Sequence, residues 1–397
     1  MVDTAAARAL NDGQERLVAL DGLRGLAILL VMVFHLVLQY PFAASAGSLY
    51  YQLGGIGWIG VDLFFVLSGF LITGILIDTK ESPNFFSAFF VRRALRIFPL
   101  YYAALIVIFL IAPRFGVYDT PELRFVLDRQ IYFWTYMTNW GFVEARGARF
   151  FNVDWLALVH FWSLAVEEQF YVAWPFVVYL FSRRGLVRIC VLLVVGALAF
   201  RLTIVGLGLP QGAAYTLTPA RIDTLAVGAL LAIASRTEGV LFHLQKAATW
   251  CGAGALIFLI FVFFNHQGVW FADRWMHTIG FSVLAVGWGA MLATCLSGGP
   301  YPAVRLVFEA RWLRAFGKYS YGLYVLHHLM LPFLPATPFV RLFPEPLGAT
   351  FYIICSIALF LAAAWLSWVF IENPFLRLKC FFGYQSAPGV QPSGVTA

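Results

Sequence analysis

The chain has 397 residues, of which 61% are hydrophobic and only 12% are charged. Because a soluble domain has about 25% charged residues, this composition excludes a soluble globular protein and predicts an all-α, polytopic integral membrane protein. The long apolar segments also exclude a transmembrane β-barrel, whose strands are short and alternate in polarity. The net charge of +7 is typical of loops that set membrane orientation, so we expect no nucleic-acid partner.

The apolar segments predict about ten transmembrane helices in a single bundle. The predicted spans are residues 22–40, 56–77, 97–112, 155–181, 186–207, 222–234, 247–265, 277–296, 316–334 and 347–371. Basic residues concentrate after the even-numbered spans, so the positive-inside rule predicts that both termini are cytoplasmic. We expect a cytoplasmic leader over 1–19, a membrane-embedded domain over 20–376, and a disordered cytoplasmic tail, rich in Pro, Gly and Ser, over 377–397.

The first predicted span contains an arginine and a histidine on one helix face. Arg24 and His35 are eleven residues apart, which on a helix is about three turns, or about 16 Å along the axis. With Arg24 at the membrane surface, His35 lies near the middle of the hydrocarbon core. A histidine at that depth is either a functional residue, for which general base is the natural role, or a side chain satisfied by a neighbouring helix.

A basic cluster precedes the third span and contains Arg92, Arg93 and Arg96. These side chains could serve only as membrane anchors. Together with Arg24 they could instead bind a polyanion, because guanidinium groups match the geometry of phosphate oxygens. A phosphate-bearing carrier with a long arm would then bridge the distance from Arg24 to His35.

The fourth span is unusually polar for a transmembrane helix. His160, Ser163 and Glu167 follow one another at one-turn spacing, so they share a face and could contact a substrate or support catalysis. Two adjacent glutamates, Glu167 and Glu168, are costly in a membrane unless they are paired. The alternative to a catalytic role is therefore an ion pair with a buried arginine.

Polar residues in other spans have similar alternatives. His327 could be a substrate ligand or an interhelical hydrogen-bond partner, whereas His328 points about 100° away and is expected to be structural. Arg221 and Asp223 could bind an acceptor or form a local ion pair, and Asp62 has the same two readings. The five cysteines have no paired spacing, so we predict neither a metal site nor a disulfide framework.

Seven motifs resemble those of acyltransferase family 3, the bacterial membrane O-acyltransferases that modify surface sugars and related acceptors. They run in family order from Leu20 to Pro374 and read LDGLRGLAILLVMVFH, GVDLFFVLSGFLIT, RRALRIFPLYY, HFWSLAVEEQFYVAWP, RIDTLAVGALLA, YSYGLYVLHH and IENP. The resemblance implies a ten-span acyltransferase in a bacterial inner membrane. It also implies acyl-CoA, commonly acetyl-CoA, as the donor co-substrate, and a carbohydrate or glycan as the acceptor.

Arg24 and His35 match residues that are regarded as essential in this family, so the resemblance implies that both are essential here. Arg93 and Arg96 match the family's basic motif, and Glu167 matches its span-four glutamate better than Glu168 does. His327 also matches a family histidine, although LHHLMLP replaces the Trp and His-Trp-Pro context of many relatives. Many relatives carry a soluble hydrolase-like domain after the spans, and this chain ends soon after IENP, so we expect direct acyl transfer.

The residues and the resemblance together predict a membrane O-acyltransferase. Arg24, Arg93 and Arg96 would bind the donor phosphates, and a tunnel would lead to His35 as general base, with Glu167 or another buried acid orienting or supporting the imidazole. His160, Ser163, Arg221, Asp223 and His327 would be candidates for contacting the substrate. The main alternative is a proton-coupled transporter or flippase of a glycan or small metabolite, which needs no coenzyme A site. A non-catalytic scaffold is a third reading.

Overall fold

The computed structural model describes residues 3–40, 49–115, 121–144, 158–297 and 302–385. Most of these residues are helical, and no β-strand occurs among them. Within the described ranges, eight helical segments are long and apolar enough to cross a membrane. The predicted fold class, an all-α polytopic membrane protein, is confirmed.

Within the described ranges, ten helices overlap the ten predicted spans. They are α1 (Asp3–Gln39), α2 (Gly60–Thr79), α3 (Phe85–Ile106), α4 (Phe161–Leu180), α5 (Arg183–Gly206), α6 (Thr218–Ser235), α7 (Val240–His266), α8 (Phe281–Ser297), α9 (Ser320–Met330) and α10 (Leu347–Ser367). Two of them, α4 and α9, are not among the eight membrane-length apolar segments. Helix α4 carries two glutamates, and α9 has only 11 residues.

Shorter helical pieces connect or extend the long helices. They are Leu49–Gly55, Ile56–Ile59, Val107–Ile111, Ala112–Phe115, Pro121–Leu127, Ile131–Trp134, Thr138–Glu144, Gln211–Thr216, Met276–Gly280, Pro302–Phe308, Arg311–Lys318, Leu331–Phe333, Thr337–Leu342, Trp368–Glu372, Asn373–Arg377 and Leu378–Phe382. Three of these pieces are π-helical and continue a long helix, namely Val107–Ile111, Met276–Gly280 and Trp368–Glu372.

Helix α3 begins earlier than predicted. It starts at Phe85, twelve residues before the predicted span, so the arginine cluster lies on a helix and not in a connector. The apolar and basic residues from 85 to 96 contain no helix breaker, which is why the helix extends through them. Pro99 consequently lies inside the helix and not in its first turn, which membrane helices tolerate when neighbouring groups satisfy the freed carbonyl.

The segment after the last helix is partly ordered. Residues 378–382 form a 3-10 helix, although the prediction placed all of 377–397 in a disordered tail. The guanidinium of Arg92 donates to the carbonyl oxygen of Lys379 at 3.0 Å, and the Asn84 amide donates to Gly383 at 2.9 Å. These bonds hold the segment against α3, so the prediction is wrong for 377–385. Residues 386–397 lie outside the described part of the chain.

The leader is also helical from Asp3 onward, because α1 runs without a break into the first span. The apolar part of α1 that could cross a membrane begins at Val18 and ends at Gln39, close to the predicted bounds. Arg24 and His35 therefore lie on one continuous helix, as predicted.

Helices α2 and α6 cross in direct backbone contact. A Cβ atom on Gly69 of α2 would lie 2.0 Å from the carbonyl oxygen of Leu225. A Cβ on Gly228 of α6 would likewise lie 2.1 Å from the carbonyl oxygen of Val66. Small residues that allow backbones to approach are a common way for membrane helices to pack. This crossing fixes the two helices that carry the buried ion pair described below.

Candidate active site

A cavity of about 260 Å³ lies among α1, α2, α3, α4 and α9 and is strongly basic at one end. Its lining includes Arg24 from α1, Arg93 and Arg96 from α3, and Lys379 from the segment after α10. The three arginines are the residues predicted to bind the donor phosphates. The structure thus brings together cations from three separate stretches of the chain.

The arginines are held in place by acids and aromatic rings. The Arg93 guanidinium lies 4.2 Å from the centre of the Tyr171 ring, and it interacts electrostatically with Glu167 and Glu168 of the same helix, α4. Tyr171 in turn shares a hydrogen bond with Ser68 of α2. A cation over an aromatic face is stabilised by the ring quadrupole, so Arg93 has a defined position facing the cavity.

The two remaining arginines also have acidic neighbours. Arg24 donates to Asp21 one turn earlier at 3.3 Å, and its side chain keeps 26% exposure. Arg96 interacts electrostatically with Glu372, a buried acid that accepts a hydrogen bond from Ser367 at 3.1 Å. Asp21 and Glu372 orient these guanidinium groups from outside the lining, which itself carries four cations and one carboxylate, that of Glu167. The cavity therefore favours an anionic ligand.

The opposite end of the cavity is closed by two hydroxyl groups. Ser163 of α4 and Tyr324 of α9 both line it and share a hydrogen bond. Both hydroxyl groups also lie within hydrogen-bond distance of the carbonyl oxygen of His160, Tyr324 at 2.7 Å and Ser163 at 3.3 Å. Ser163 thus faces the cavity, as a substrate-contacting residue would.

A cluster of four histidines lies directly behind Tyr324. His35 comes from α1, His160 precedes α4, and His327 and His328 come from α9. The ring centres of His35 and His328 are 4.3 Å apart, and those of His160 and His328 are 4.9 Å apart. The sequence did not predict this cluster. It includes His328, whose ring contacts the rings of both His35 and His160, although His328 was expected to be structural and to point about 100° away from His327.

The cavity does not extend to His35 as an open tunnel. Its lining ends at Tyr324, whose ring contacts the rings of His160 and His327 at centre distances of 5.4 Å and 6.0 Å. One aromatic side chain therefore separates the cavity from the histidines. Among the described residues, the predicted tunnel from this cavity to His35 is therefore interrupted at Tyr324, whose hydroxyl forms hydrogen bonds with Ser163 and with the carbonyl of His160.

His35 contacts an imidazole and not the predicted carboxylate. Its Nδ1 lies 3.1 Å from Nε2 of His327, whereas Glu167 lies at the cavity beside Arg93. His327 is fully buried, but His35 keeps part of its surface exposed. Among the described residues, no group of three or more His, Cys, Asp or Glu side chains is arranged to hold a metal ion.

Arg221 and Asp223 lie away from the cavity and pair with other helices, not with each other. Arg221 donates to Asp62 of α2 at 2.6 Å, and Asp223 accepts from Arg201 of α5 at 2.9 Å. All four side chains are fully buried, and the Arg221 guanidinium also lies 3.8 Å from the centre of the Phe281 ring. Of the two predicted readings, the geometry fits the structural ion pair, which links α6 to α2 and α5.

Sequence reasoning missed two residues of the site. Tyr324 precedes His328 by one helical turn, so its position on the histidine face could have been read from the spacing. Lys379 follows the tenth predicted span, where a basic residue indicates only membrane orientation. No local pattern indicates that its segment folds back over α3, so its place in the cavity lining could not have been predicted.

Comparison of the sequence with known proteins identifies one family. A family model described as "Acyltransferase domain" matches residues 17–369. The chain is 29% identical over 384 residues to the peptidoglycan O-acetyltransferase OatA of Listeria monocytogenes, with 92% of this chain and 56% of that protein covered. It is 26% identical over 380 residues to the O-acetyltransferase OatA of Staphylococcus aureus, with 93% and 58% covered.

The chain therefore spans little more than half the length of these relatives. No solved structure matches it significantly.

Proposed function

Because this chain belongs to the acyltransferase family whose model covers residues 17–369, we propose that it is a membrane O-acyltransferase with acyl-CoA as its donor. The transferred group in this proposal is acetyl, since the relatives are named O-acetyltransferases. The acceptor is a hydroxyl of a glycan. Peptidoglycan is the first candidate, because the Listeria relative is named for it.

The observation that carries the proposal is the cavity with four cations at one end and the histidine cluster behind its other end. Coenzyme A presents a pyrophosphate and a further phosphate at one end and the thioester at the other. Guanidinium groups bind phosphate oxygens through paired hydrogen bonds, so Arg24, Arg93 and Arg96 fit the anionic end. The pantetheine arm would then lie along the cavity toward Tyr324.

The reaction that suits the inner end is attack of a hydroxyl on a thioester. The neutral imidazole of His35 accepts the proton of the acceptor hydroxyl while the oxygen attacks the thioester carbonyl. The carbon–sulfur bond then breaks, the acyl group stays on the acceptor oxygen, and the sulfur leaves as coenzyme A after taking up the proton. For this step the Tyr324 side chain must move from its present position, because it lies between the cavity and His35.

Glu167 has a supporting place in this proposal. It lines the cavity and interacts electrostatically with Arg93 and Arg24. Its carboxylate balances and orients the guanidinium groups, and His327 takes over the contact with His35 that was expected of Glu167. We therefore assign Glu167 to donor binding, with His160 and Ser163 at the junction between cavity and histidines.

The proposal is tested with purified full-length protein, labelled acetyl-CoA and a panel of glycans that includes peptidoglycan fragments. Mass spectrometry should locate the label on a glycan hydroxyl. His35→Ala should abolish transfer while leaving acetyl-CoA binding intact, since His35 is not part of the cavity lining. Transfer at the normal rate in that variant would exclude His35 as the base.

Donor binding needs its own comparison. Arg93→Ala should weaken binding of acetyl-CoA more than tenfold, because a charge-assisted bond contributes about 1.5–3 kcal/mol. Arg184→Ala is the matched control, since Arg184 is an exposed arginine on α5 that does not line the cavity. If the unsubstituted protein neither binds acetyl-CoA nor transfers its acetyl group, the acyltransferase proposal fails and the transporter alternative gains support.

A further inference from the structure

The contact between His35 and His327 determines where the protons of both rings lie. Nδ1 of His327 is 2.8 Å from the carbonyl oxygen of Leu323, one turn earlier on α9. Nε2 of the same ring is 3.1 Å from Nδ1 of His35. Both nitrogens of His327 are thus engaged, one by a backbone group and one by the second imidazole.

The direction of these two bonds follows from the chemistry of the groups. A carbonyl oxygen can only accept, so Nδ1 of His327 carries a proton. In a neutral ring the other nitrogen then has the lone pair, so Nε2 of His327 accepts and Nδ1 of His35 donates.

We propose that His327 is a positioning residue that holds His35 as its Nδ1–H tautomer and leaves the lone pair on Nε2 for the acceptor proton. This inference rests on the proposed acyl transfer. His35, and not His327, is the base because His327 is fully buried with both nitrogens in use, whereas His35 keeps exposed surface. The carbonyl of Leu323 belongs to the rigid backbone of α9, so it anchors the chain of bonds.

Kinetics of substituted proteins test the assignment. His327→Leu removes the acceptor and should lower kcat by about 10²-fold, within the range of about 10²–10⁴ that a general base supplies. The KM and Kd for acetyl-CoA should stay unchanged, because the cations line the cavity and His327 does not. His327→Gln places an amide oxygen near the former Nε2 and should restore most of kcat. His277→Leu, which removes a different buried histidine on the Met276–Gly280 segment, should leave kcat unchanged.

Nitrogen NMR of histidine-labelled, unsubstituted protein gives a readout that does not depend on activity. The His35 signals, identified by their loss in His35→Ala, should show the proton on Nδ1, whereas free histidine in water prefers Nε2–H. A proton on Nε2 of His35, or normal kcat in His327→Leu, would overturn the positioning role. Normal kcat in His35→Ala would overturn the proposed base itself, so the two failures are distinguishable.

Discussion

Replacement of Lys379 tests whether the segment after α10 belongs to the donor site. Lys379 lines the basic cavity with three arginines, and its backbone carbonyl is held by Arg92 at 3.0 Å. Lys379→Ala keeps that backbone bond and removes one of the four cations. We therefore expect a folded protein with weaker affinity for acetyl-CoA.

The size of the effect follows from the exposure of the side chain. A buried charge-assisted hydrogen bond contributes about 1.5–3 kcal/mol, whereas an exposed ion pair contributes about 0–1 kcal/mol. Lys379 is partly exposed, so we expect about 1 kcal/mol, which is about a fivefold increase in Kd. Salt should reduce this difference, because mobile ions screen a partly exposed charge.

The assay is calorimetric titration of acetyl-CoA into full-length protein in detergent at low and at high salt. Arg377→Ala is the matched control, since Arg377 lies two residues away, is exposed, and does not line the cavity. An unchanged Kd for Lys379→Ala, in a preparation where Arg93→Ala weakens binding, would refute the assignment. Equal losses for Lys379→Ala and Arg377→Ala would refute it too, because they would indicate a general charge effect.

Three further predictions concern packing and stability. Asp62→Leu leaves the buried Arg221 charge without its partner and should lower the free energy of unfolding by about 3–5 kcal/mol. The double variant Asp62→Leu/Arg221→Met should recover much of the lost free energy of unfolding, as measured by denaturant unfolding. If it recovers none, the two residues do not form a direct pair. Gly69→Ala should prevent formation of a folded, monodisperse protein in gel filtration, because its Cβ would lie 2.0 Å from a carbonyl oxygen. Gly254→Ala is the control and should elute normally, because no atom lies within 4 Å of the added Cβ. Tyr324→Phe removes one of the donors to the His160 carbonyl, which Ser163 also contacts, and should lower the thermal midpoint by an amount equivalent to about 0.5–1.5 kcal/mol; an unchanged midpoint would contradict the hydrogen bond.

The sequence was sufficient for the features that depend on one helix at a time. Hydropathy located the ten helices, and helical periodicity placed Arg24 and His35 on one face of α1. The sequence did not reveal where α3 starts, because a cluster of arginines is equally compatible with a cytoplasmic loop and with a helix that lines a basic cavity. The predicted connector therefore became part of a helix.

The partners across helices could not be read from the sequence. Arg221 and Asp223 are neighbours in the chain, yet each pairs with a different helix, because their positions differ by about 200° around α6. For the same reason, periodicity could not show that the side chain in contact with His35 is His327 and not Glu167. Periodicity gives the face that a side chain occupies, but not which helix packs against that face.

The distribution of charge explains why an imidazole, and not a carboxylate, supports His35. A carboxylate buried beside His35 would need a compensating cation, and the acids of α4 lie instead where Arg93 compensates them. The pair of neutral rings that ends at the Leu323 carbonyl adds no charge to the interior of the bundle. In the proposed reaction, in which His35 takes up the acceptor proton, its Nδ1–H bond to His327 becomes charge-assisted and about twice as strong. The support therefore increases as the transition state forms, which is the condition for an interaction to raise kcat.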